Sequence, residues 1–322
     1  MLGALLALLS AATFGLNNAA IRRGVLSGSV LQALSITVPL GAVLFALVAL
    51  AAGALSAIGD FSAAGIGWLA AAGVVHFVIG RYGNYRATRA MGANLSGPVQ
   101  QASVLVSLVL ALAFLGETLT PLRIVGIVLI VAGPMIMLRG RGRRRSTPSG
   151  FVPDLAEGYA YSLLCAVGYG VSPLFIRLGL EDGGLGASLA GGTISYGAAT
   201  LVLAAILLLP GKAAHVRAPD GVAARWFLAS GLLVFLSQVF RYMALAVAPV
   251  SVVVPIQRLS VVFRALFSWL INRDHELFGF WVLSGIGVSV VGALALTVST
   301  EWLLSTVSLP AALASMARWT WP

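Results

Sequence analysis

Three arginines lie well inside long apolar stretches of the sequence, where a charged side chain needs a partner. They are Arg81, Arg258 and Arg264. A guanidinium in hydrocarbon costs from about 3 to more than about 10 kcal/mol, so it must face protein or water. Arg264 is near enough to the end of its stretch for its side chain to extend to the membrane surface. Arg81 and Arg258 lie nearer the middle, and a guanidinium can grip a carboxylate or a phosphate through two parallel hydrogen bonds.

Few acidic side chains are available to neutralise these arginines. The acids within or bordering the apolar stretches are Glu117, Glu157, Asp274 and Glu276, and all of them lie at or near the ends of the stretches. We therefore expect an anionic or amino-acid-like ligand to supply the missing charge. A zwitterionic or neutral ligand is the first alternative, and a cationic ligand is the second.

The composition indicates a membrane protein. The chain has 322 residues, of which 59% are hydrophobic and 9% charged, and its mean hydropathy is +0.99. A soluble domain carries about 25% charged residues. Apolar stretches of about 20 residues recur, each long enough to cross ~30 Å of hydrocarbon as a helix. A soluble protein with a very large core would alternate these stretches with charged faces, so the sequence predicts an all-α polytopic membrane protein.

Glycine, proline and clusters of charge divide the chain into ten predicted transmembrane helices. Their bounds are 2–21, 30–53, 65–90, 95–115, 121–139, 157–178, 187–210, 223–247, 251–271 and 279–299. The predicted units are a first five-helix repeat at 1–138, a basic linker loop at 139–155, a second five-helix repeat at 156–299 and an interfacial tail at 300–322. The apolar N-terminus is interpreted as a retained first helix and not as a cleaved signal peptide.

The two halves of the chain carry matching residues in the same order. Tyr85, Pro98, Gln100 and Ser103 match Tyr242, Pro255, Gln257 and Ser260 at a shift of 157 residues. Glu117, Gly126 and Gly133 match Glu276, Gly285 and Gly292 at a shift of 159. Phe14, Gly15, Ile21, Arg22 and Gly24 fall on Tyr169, Gly170, Ile176, Arg177 and Gly179 at a shift of 155. So many ordered matches indicate an internal duplication.

Duplicates with an odd number of spans insert with opposite orientations. Such inverted repeats are typical of secondary transporters, whose substrate site lies near the midplane between the halves. A duplication that only lengthened a helical bundle is the alternative.

A family resemblance supports the transporter interpretation. The segment FLGETLTPLRIVGIVLIVAG at 114–133 resembles the signature that closes each repeat in the EamA branch of the drug/metabolite transporter superfamily. The second copy, ELFGFWVLSGIGVSVVGALAL at 276–296, lacks the Gly-Glu pair. The resemblance covers about residues 1–299 and implies ten helices, an inverted five-plus-five repeat and alternating-access transport, without fixing the substrate. It also implies a central cavity lined chiefly by the third, fourth, eighth and ninth helices.

Candidate substrate-binding residues lie on those helices. They are Arg81, Tyr85, Gln100, Ser103, Arg241, Tyr242, Gln257, Arg258 and Ser260. Helical spacing places Gln100 and Ser103 on one face, and Gln257 and Ser260 form the matching stripe. We expect Gln100 to face Gln257 across the pseudo-twofold axis. Each polar residue taken alone could instead serve helix–helix hydrogen bonding.

Other residues have two open interpretations. Pro173 can break the sixth helix and free carbonyl groups for a ligand, or make a packing kink. His76 can carry a proton, or be a buried imidazole with satisfied hydrogen bonds. Glu117 and Glu276 can carry protons, but a carboxylate also suits the N-termini of the fifth and tenth helices.

The distribution of basic residues predicts the orientation. Most of the 20 Lys and Arg residues follow the odd-numbered spans. The positive-inside rule therefore places the 139–155 loop in the cytoplasm and both termini outside the cell (inner) membrane. Relatives of the family are usually drawn with both termini inside, and here we follow the charges. The arginines of 139–145 are expected to contact anionic lipids, so the net charge of +10 requires no nucleic-acid partner.

Other classes of protein lack their motifs here. The sequence contains no GxxxxGK[ST], HExxH or GxSxG motif, so we expect no cofactor, no metal and no enzyme activity. The single cysteine, Cys165, cannot form an internal disulfide. The alternatives are a multidrug or cationic exporter of the same superfamily, an intramembrane lipid-phosphate enzyme and a channel. A monomer is compatible with the sequence.

Overall fold

The fold is taken from a computed structural model. It describes residues 2–115, 120–139, 149–180, 184–216, 219–248, 253, 256–298, 300–306, 310, 314–315 and 317–320.

The described chain is built from α-helices. They are α1 (Leu2–Ser27), α2 (Val30–Ala51), α3 (Ala63–Met91), α4 (Ala93–Gln100), α5 (Ser103–Leu115), α6 (Pro121–Arg139), α7 (Leu155–Leu180), α8 (Gly184–Leu207), α9 (Lys212–Val216), α10 (Gly221–Val247), α11 (Ser260–Ile271), α12 (Phe280–Thr297) and α13 (Thr300–Thr306). A 3₁₀ segment, Ala54–Asp60, follows α2.

Six helices of the described chain are long and apolar enough to cross a membrane. They are α1, α2, α3, α7, α8 and α10. With no β-strand in the described ranges, this is the structure of a polytopic α-helical membrane protein. The six match the first, second, third, sixth, seventh and eighth predicted spans.

The fourth predicted span differs from a single helix. It is divided into α4 and α5 by a tight turn in which Ala102 N donates to Val99 O and Val104 N to Gln101 O. These bonds connect residues three apart, as in a 3₁₀ turn, and so interrupt the α-helical pattern. In the ninth predicted span α11 begins only at Ser260, and most of the residues before 256 lie outside the described chain.

Helix α3 changes its winding near the middle of its length. Val74–Gly80 is π-helical, with ordinary α-helix before and after it. A π-helical turn is rare and often occurs at a functional site, because it redirects the side chains around it. The segment contains His76, and Arg81 follows it directly.

Helix α7 runs without interruption from Leu155 to Leu180, through Pro173. The predicted helix break at Pro173 is therefore not formed in this structure. Proline removes one backbone hydrogen bond, and the packing of α7 against α3, α4 and α5 holds the helix together on both sides of it.

The helices pack in pairs at glycine contacts. Helix α1 lies along α10, α3 along α7, and α6 along α12. At the last crossing, a Cβ added to Gly133 would lie 2.8 Å from the Gly285 carbonyl oxygen, and one added to Gly292 would lie 2.9 Å from the Gly126 carbonyl oxygen. Small residues permit this close approach, which is how helices associate in a membrane.

An aromatic core joins α2, α3, α8 and α10. The ring of Tyr196 stacks on Phe77 at 3.9 Å between centroids and lies 5.2 Å from Phe45. Gly41 and Gly192 admit these rings, because an added Cβ would lie 2.8 Å from Cζ of Tyr196 and 2.9 Å from Cζ of Phe45, respectively. This core forms one wall beside the polar centre of the molecule.

Candidate functional site

A cavity lies between α1, α3, α7, α10 and the start of α11. Its lining residues are Ser10, Ala11, Phe14, His76, Tyr169, Ser237, Gln238, Arg241, Gln257, Arg258 and Ser260. Arg241, Gln257, Arg258 and Ser260 were predicted as binding residues, and His76 as a proton-coupling candidate.

Arg241 is held in the cavity wall by neutral groups. Its Nη2 donates to Ser172 Oγ at 3.0 Å, and its Nη1 donates to Gln238 Oε1 at 3.3 Å. Nη1 also lies 3.0 Å from Nδ1 of His76. These contacts fix the guanidinium in position and leave its charge without a counter-ion among them.

His76 is fixed by contacts on two sides. Its Nδ1 lies 2.7 Å from Ser172 Oγ, and its ring stacks on Tyr169 with centroids 4.3 Å apart. A protonated imidazole here would place a second cation about one hydrogen-bond length from Arg241, so the neutral ring is the form that suits this geometry.

Arg258 reaches across the cavity to the other half of the chain. Its Nη1 donates to Ser103 Oγ at 2.6 Å, and its backbone carbonyl accepts from Gln101 Nε2 at 3.2 Å. Its Nε has no hydrogen-bond partner among the described residues. Arg258 thus lines the cavity with one donor that no described residue uses.

The cavity lining carries positive charge without negative charge from the described residues. Two guanidinium groups line it, and no carboxylate of the described chain does. Ion pairs within the described part of the chain lie elsewhere, such as Arg22–Glu276, Arg86–Glu157 and Arg318–Glu301. A cleft lined by one sign of charge with low-dielectric walls concentrates ligands of the opposite sign.

Several predicted binding residues lie away from this cavity. Arg81 is fully buried, donates from Nη2 to Tyr196 Oη at 2.7 Å, and lies over the rings of Phe77 and Tyr196. Tyr85 and Tyr242 belong to the buried core around the aromatic cluster. Ser103 is buried and touches the cavity only through Arg258.

Gln100 does not face Gln257, contrary to our expectation. Gln100 accepts from Arg264 Nη1 and donates to Asn84 Oδ1, both at 3.0 Å. Gln257 donates to Ser10 Oγ at 3.3 Å. Arg264 is 2% exposed, so it does not extend to the membrane surface as its position in the sequence had suggested. The two glutamines are separated because each is bound within its own polar cluster.

A second polar cluster closes the helix ends on one face of the molecule. The Glu276 carboxylate accepts from the backbone N–H of Ala93 at 2.6 Å and of Asn94 at 3.0 Å, and pairs with Arg22 Nε at 3.2 Å. Arg22 also donates to the carbonyl of Thr88 at 3.0 Å. We call these five residues the Arg22–Glu276 cluster.

Glu276 therefore acts at a different helix from the one predicted. It stabilises the N-terminus of α4 and not that of α12, because the loop before α12 folds under α4. Burial raises the pKa of Glu276, and Arg22 and the two backbone N–H groups oppose that rise. Glu117, the other carboxylate of the prediction, lies outside the described residues.

Sequence reasoning missed part of the cavity lining. Ser10 and Ser237 were not singled out as ligands, since serines are common in membrane helices. Phe14 and Tyr169 were noticed only as repeat matches. The repeat gave the available signal for Gln238, because that residue matches Arg81 in the first half.

Comparison with known proteins identifies the class. Residues 1–139 and 156–298 match the EamA-like transporter family. The chain belongs to this family, which is part of the drug/metabolite transporter superfamily and consists of transporters and not of enzymes.

One solved structure, titled only "Crystal structure of protein", matches with a TM-score of 0.58 and 20% sequence identity. The match covers 95% of this chain and 98% of the other, and it shows a shared fold. No curated protein matches the sequence.

Proposed function

We propose that this protein is a secondary active transporter that moves a small organic anion across the inner membrane by alternating access. The observation that carries the proposal is the pair of guanidinium groups, Arg241 and Arg258, in a cavity that no described carboxylate lines. Carboxylates and phosphates match the fork of an arginine. Ser10, Gln238 and Gln257 add neutral hydrogen-bonding groups that can distinguish one anion from another.

Reciprocal contacts support an inverted repeat of ten helices. The repeat exchanges Gly126 with Gly285 and Gly133 with Gly292, and the close contacts found are Gly133 to Gly285 and Gly292 to Gly126. The exchange therefore converts one contact into the other. A twofold relation between the halves gives this pattern directly, whereas a simple elongated bundle does not.

The second and seventh predicted spans follow the same rule. Gly41 contacts Tyr196 and Gly192 contacts Phe45, and a shift of 151 residues converts one pair into the other. The contacts between whole helices agree with this rule. The repeat relates α1 to α7 and α10 to α3, and α1 packs on α10 just as α7 packs on α3.

The two faces of the molecule differ as alternating access requires. Arg22 is 1% exposed within the Arg22–Glu276 cluster, whereas its repeat counterpart Arg177 is exposed. The cavity residues Ser10 and Arg241 lie toward the N-terminus of α1 and the C-terminus of α10, which is the opposite end from that cluster. This supports a state closed at one face, with the site reached from the other.

The energy source in this proposal is a gradient of protons or of another solute. His76 contacts Arg241 directly. A protonated imidazole would therefore repel the guanidinium that holds the anion. The positive-inside rule assigns the Arg22–Glu276 face to the cytoplasm, and the arginines of 139–145 would meet anionic lipids there. A reporter fused to the C-terminus tests this orientation.

Uptake into proteoliposomes tests the proposed function. Labelled organic and inorganic anions should enter vesicles containing the wild-type protein with saturable kinetics, and Arg241→Gln and Arg258→Gln should each reduce uptake about tenfold or more. Arg225→Gln is the matched control, because Arg225 lies on the same helix as Arg241 but is exposed.

The same assay separates the alternatives. Conductance without saturation would indicate a channel, and conversion of the solute without net movement would indicate an enzyme. Uptake restricted to cations, with no effect of Arg241→Gln or Arg258→Gln, would contradict the anion proposal.

A further inference from the structure

Arg81 is a buried guanidinium whose hydrogen bonds are incomplete. It is fully buried and uses Nη2 to bind Tyr196 Oη, but its Nε and Nη1 have no partner among the described residues. Rings of Phe77 and Tyr196 cover its faces. A buried cation with two idle donors and no adjacent carboxylate is costly to keep, which points to a ligand that reaches it in another state.

The repeat relates the surroundings of Arg81 to the open cavity. Gln238 and Arg241 line that cavity, and their counterparts 157 residues earlier are Arg81 and Asn84. Ser10 lines it too, and its counterpart 155 residues later is Cys165. These three counterparts, Arg81, Asn84 and Cys165, are all fully buried.

These counterparts also lie together in space. A Cβ on Gly83, between Arg81 and Asn84, would lie 2.8 Å from the backbone nitrogen of Cys165. Asn84 in turn accepts from Gln100, which is the counterpart of the cavity residue Gln257. The buried cluster of Arg81, Asn84, Gln100 and Cys165 is thus the closed counterpart of the open cluster of Gln238, Arg241, Gln257 and Ser10.

Phe14 and Tyr169 connect the open and the closed cluster. They are each other's repeat counterparts, they both line the present cavity, and their rings are 5.9 Å apart. Residues that contact their own counterparts lie at the twofold axis, so an exchange of conformation between the halves leaves them at the centre.

We propose that the halves exchange conformations to open a second anion-binding site at Arg81, with Asn84, Gln100 and Cys165 in its wall. This inference rests on the inverted repeat of the proposed function. The Arg22–Glu276 cluster holds the second site closed, because it ties the start of α4 to the end of α1. The present cavity is lined by Arg241 and Arg258, whereas the second site has Arg81 in its wall, and Gln100 there accepts from Arg264.

Alkylation of Cys165 tests the second site, because Cys165 is the only cysteine of the chain and is buried. N-ethylmaleimide should modify it slowly in the purified full-length protein. Glu276→Gln should raise the rate of Cys165 modification roughly tenfold. The variant loses a charge-assisted hydrogen bond, and the free energy of such a bond corresponds to about a tenfold change in the opening equilibrium. Inorganic phosphate should then slow the modification, and adding Arg81→Gln should abolish that protection.

Two further reporters in a Cys165→Ser background give the controls. Ser10→Cys reports on the open cavity, so Glu276→Gln should slow its modification while it accelerates that of Cys165. Ala199→Cys is fully buried on α8 and should stay unmodified in both forms, which excludes a general loosening. Arg22→Lys is the second opening variant if Glu276→Gln does not fold, because it keeps the charge and loses the forked hydrogen bonds.

Unchanged modification of Cys165 in both opening variants, or a parallel rise at Ala199→Cys, would overturn the second site. If Arg258→Gln abolishes anion uptake while Cys165 never opens, the proposed function stands and the second site is wrong. If Cys165 opens and phosphate gives no protection, an opening exists but Arg81 is not an anion site.

Discussion

Under the proposed repeat, the two halves of this chain share a fold and differ in charge at matched positions. Arg241 and Arg258 line the cavity in the second half, and their counterparts in the first half are Asn84 and Gln101. Arg81 reverses the pattern, because its counterpart in the second half is the neutral Gln238. The contacts that build the fold are duplicated, whereas the charges that select a ligand are not.

The faces of the molecule differ in the same sense. Arg22 is buried in the Arg22–Glu276 cluster, and its counterpart Arg177 is exposed. The matched arginines Arg22 and Arg177 thus lie in two different environments within a single structure. In the proposed mechanism, closure is a property of the conformational state, and substrate choice is a property of the unmatched residues.

The largest expected effect comes from removing Arg22, which tests the difference between the two faces. Arg22→Ala leaves Glu276 buried without its ionic partner, so we expect the free energy of unfolding to fall by about 3–5 kcal/mol. Arg177→Ala, the same change at the counterpart, should cost no more than about 1 kcal/mol, because exposed charges contribute little. Denaturant unfolding of the two purified variants measures the difference. Equal losses would mean that the Arg22–Glu276 cluster does not hold the structure closed.

A smaller effect tests the duplicated contacts. Gly133→Ala and Gly292→Ala each place a Cβ within 3 Å of backbone atoms of the opposite helix. We expect each to lower the free energy of unfolding by about 1–3 kcal/mol, and by similar amounts. Gly197→Ala is the control, since an added Cβ there meets no atom within 4 Å and favours the helix. A loss in only one of the paired variants would argue against the twofold relation.

The smallest effect tests the unmatched charge. Arg258→Gln should weaken anion binding about tenfold, which corresponds to ~1.4 kcal/mol. Adding Gln101→Arg should restore part of the affinity, because Gln101 Nε2 lies 3.2 Å from the Arg258 carbonyl and its side chain is adjacent to the same site. Direct binding measurements compare the three proteins. No recovery in the double variant would show that the two positions are not interchangeable.

The sequence predicts the helices of this protein well, and it predicts the contacts of the candidate site less well. Apolar length identifies the helices, and the matched glycines indicate that α6 and α12 correspond in the repeat, without predicting that they pack together. The correspondence between the second and seventh predicted spans was missed. Phe45 is matched by a different residue type, Tyr196, and the shift of 151 residues differs from the shifts of the other spans. A shift that changes between helices follows from loops of different length.

Two errors have a common physical cause. Gln100 was expected opposite Gln257, and Glu276 was expected at the start of α12. Both predictions used position along the chain, whereas the partners come from helices that are distant in sequence: Arg264 binds Gln100, and α4 receives Glu276. Symmetry in the sequence predicts which residues correspond, but a single conformation places corresponding residues in different surroundings.

The central claim is that the cavity selects negative charge, and thermal stability of the purified protein tests it most directly. Small organic acids should raise the melting temperature, and their uncharged amides of equal size should not. Arg241→Gln and Arg258→Gln should each reduce the shift at a given acid concentration, while Arg225→Gln should retain it. Stabilisation by cationic solutes alone, or equal shifts from acids and amides, would contradict the account.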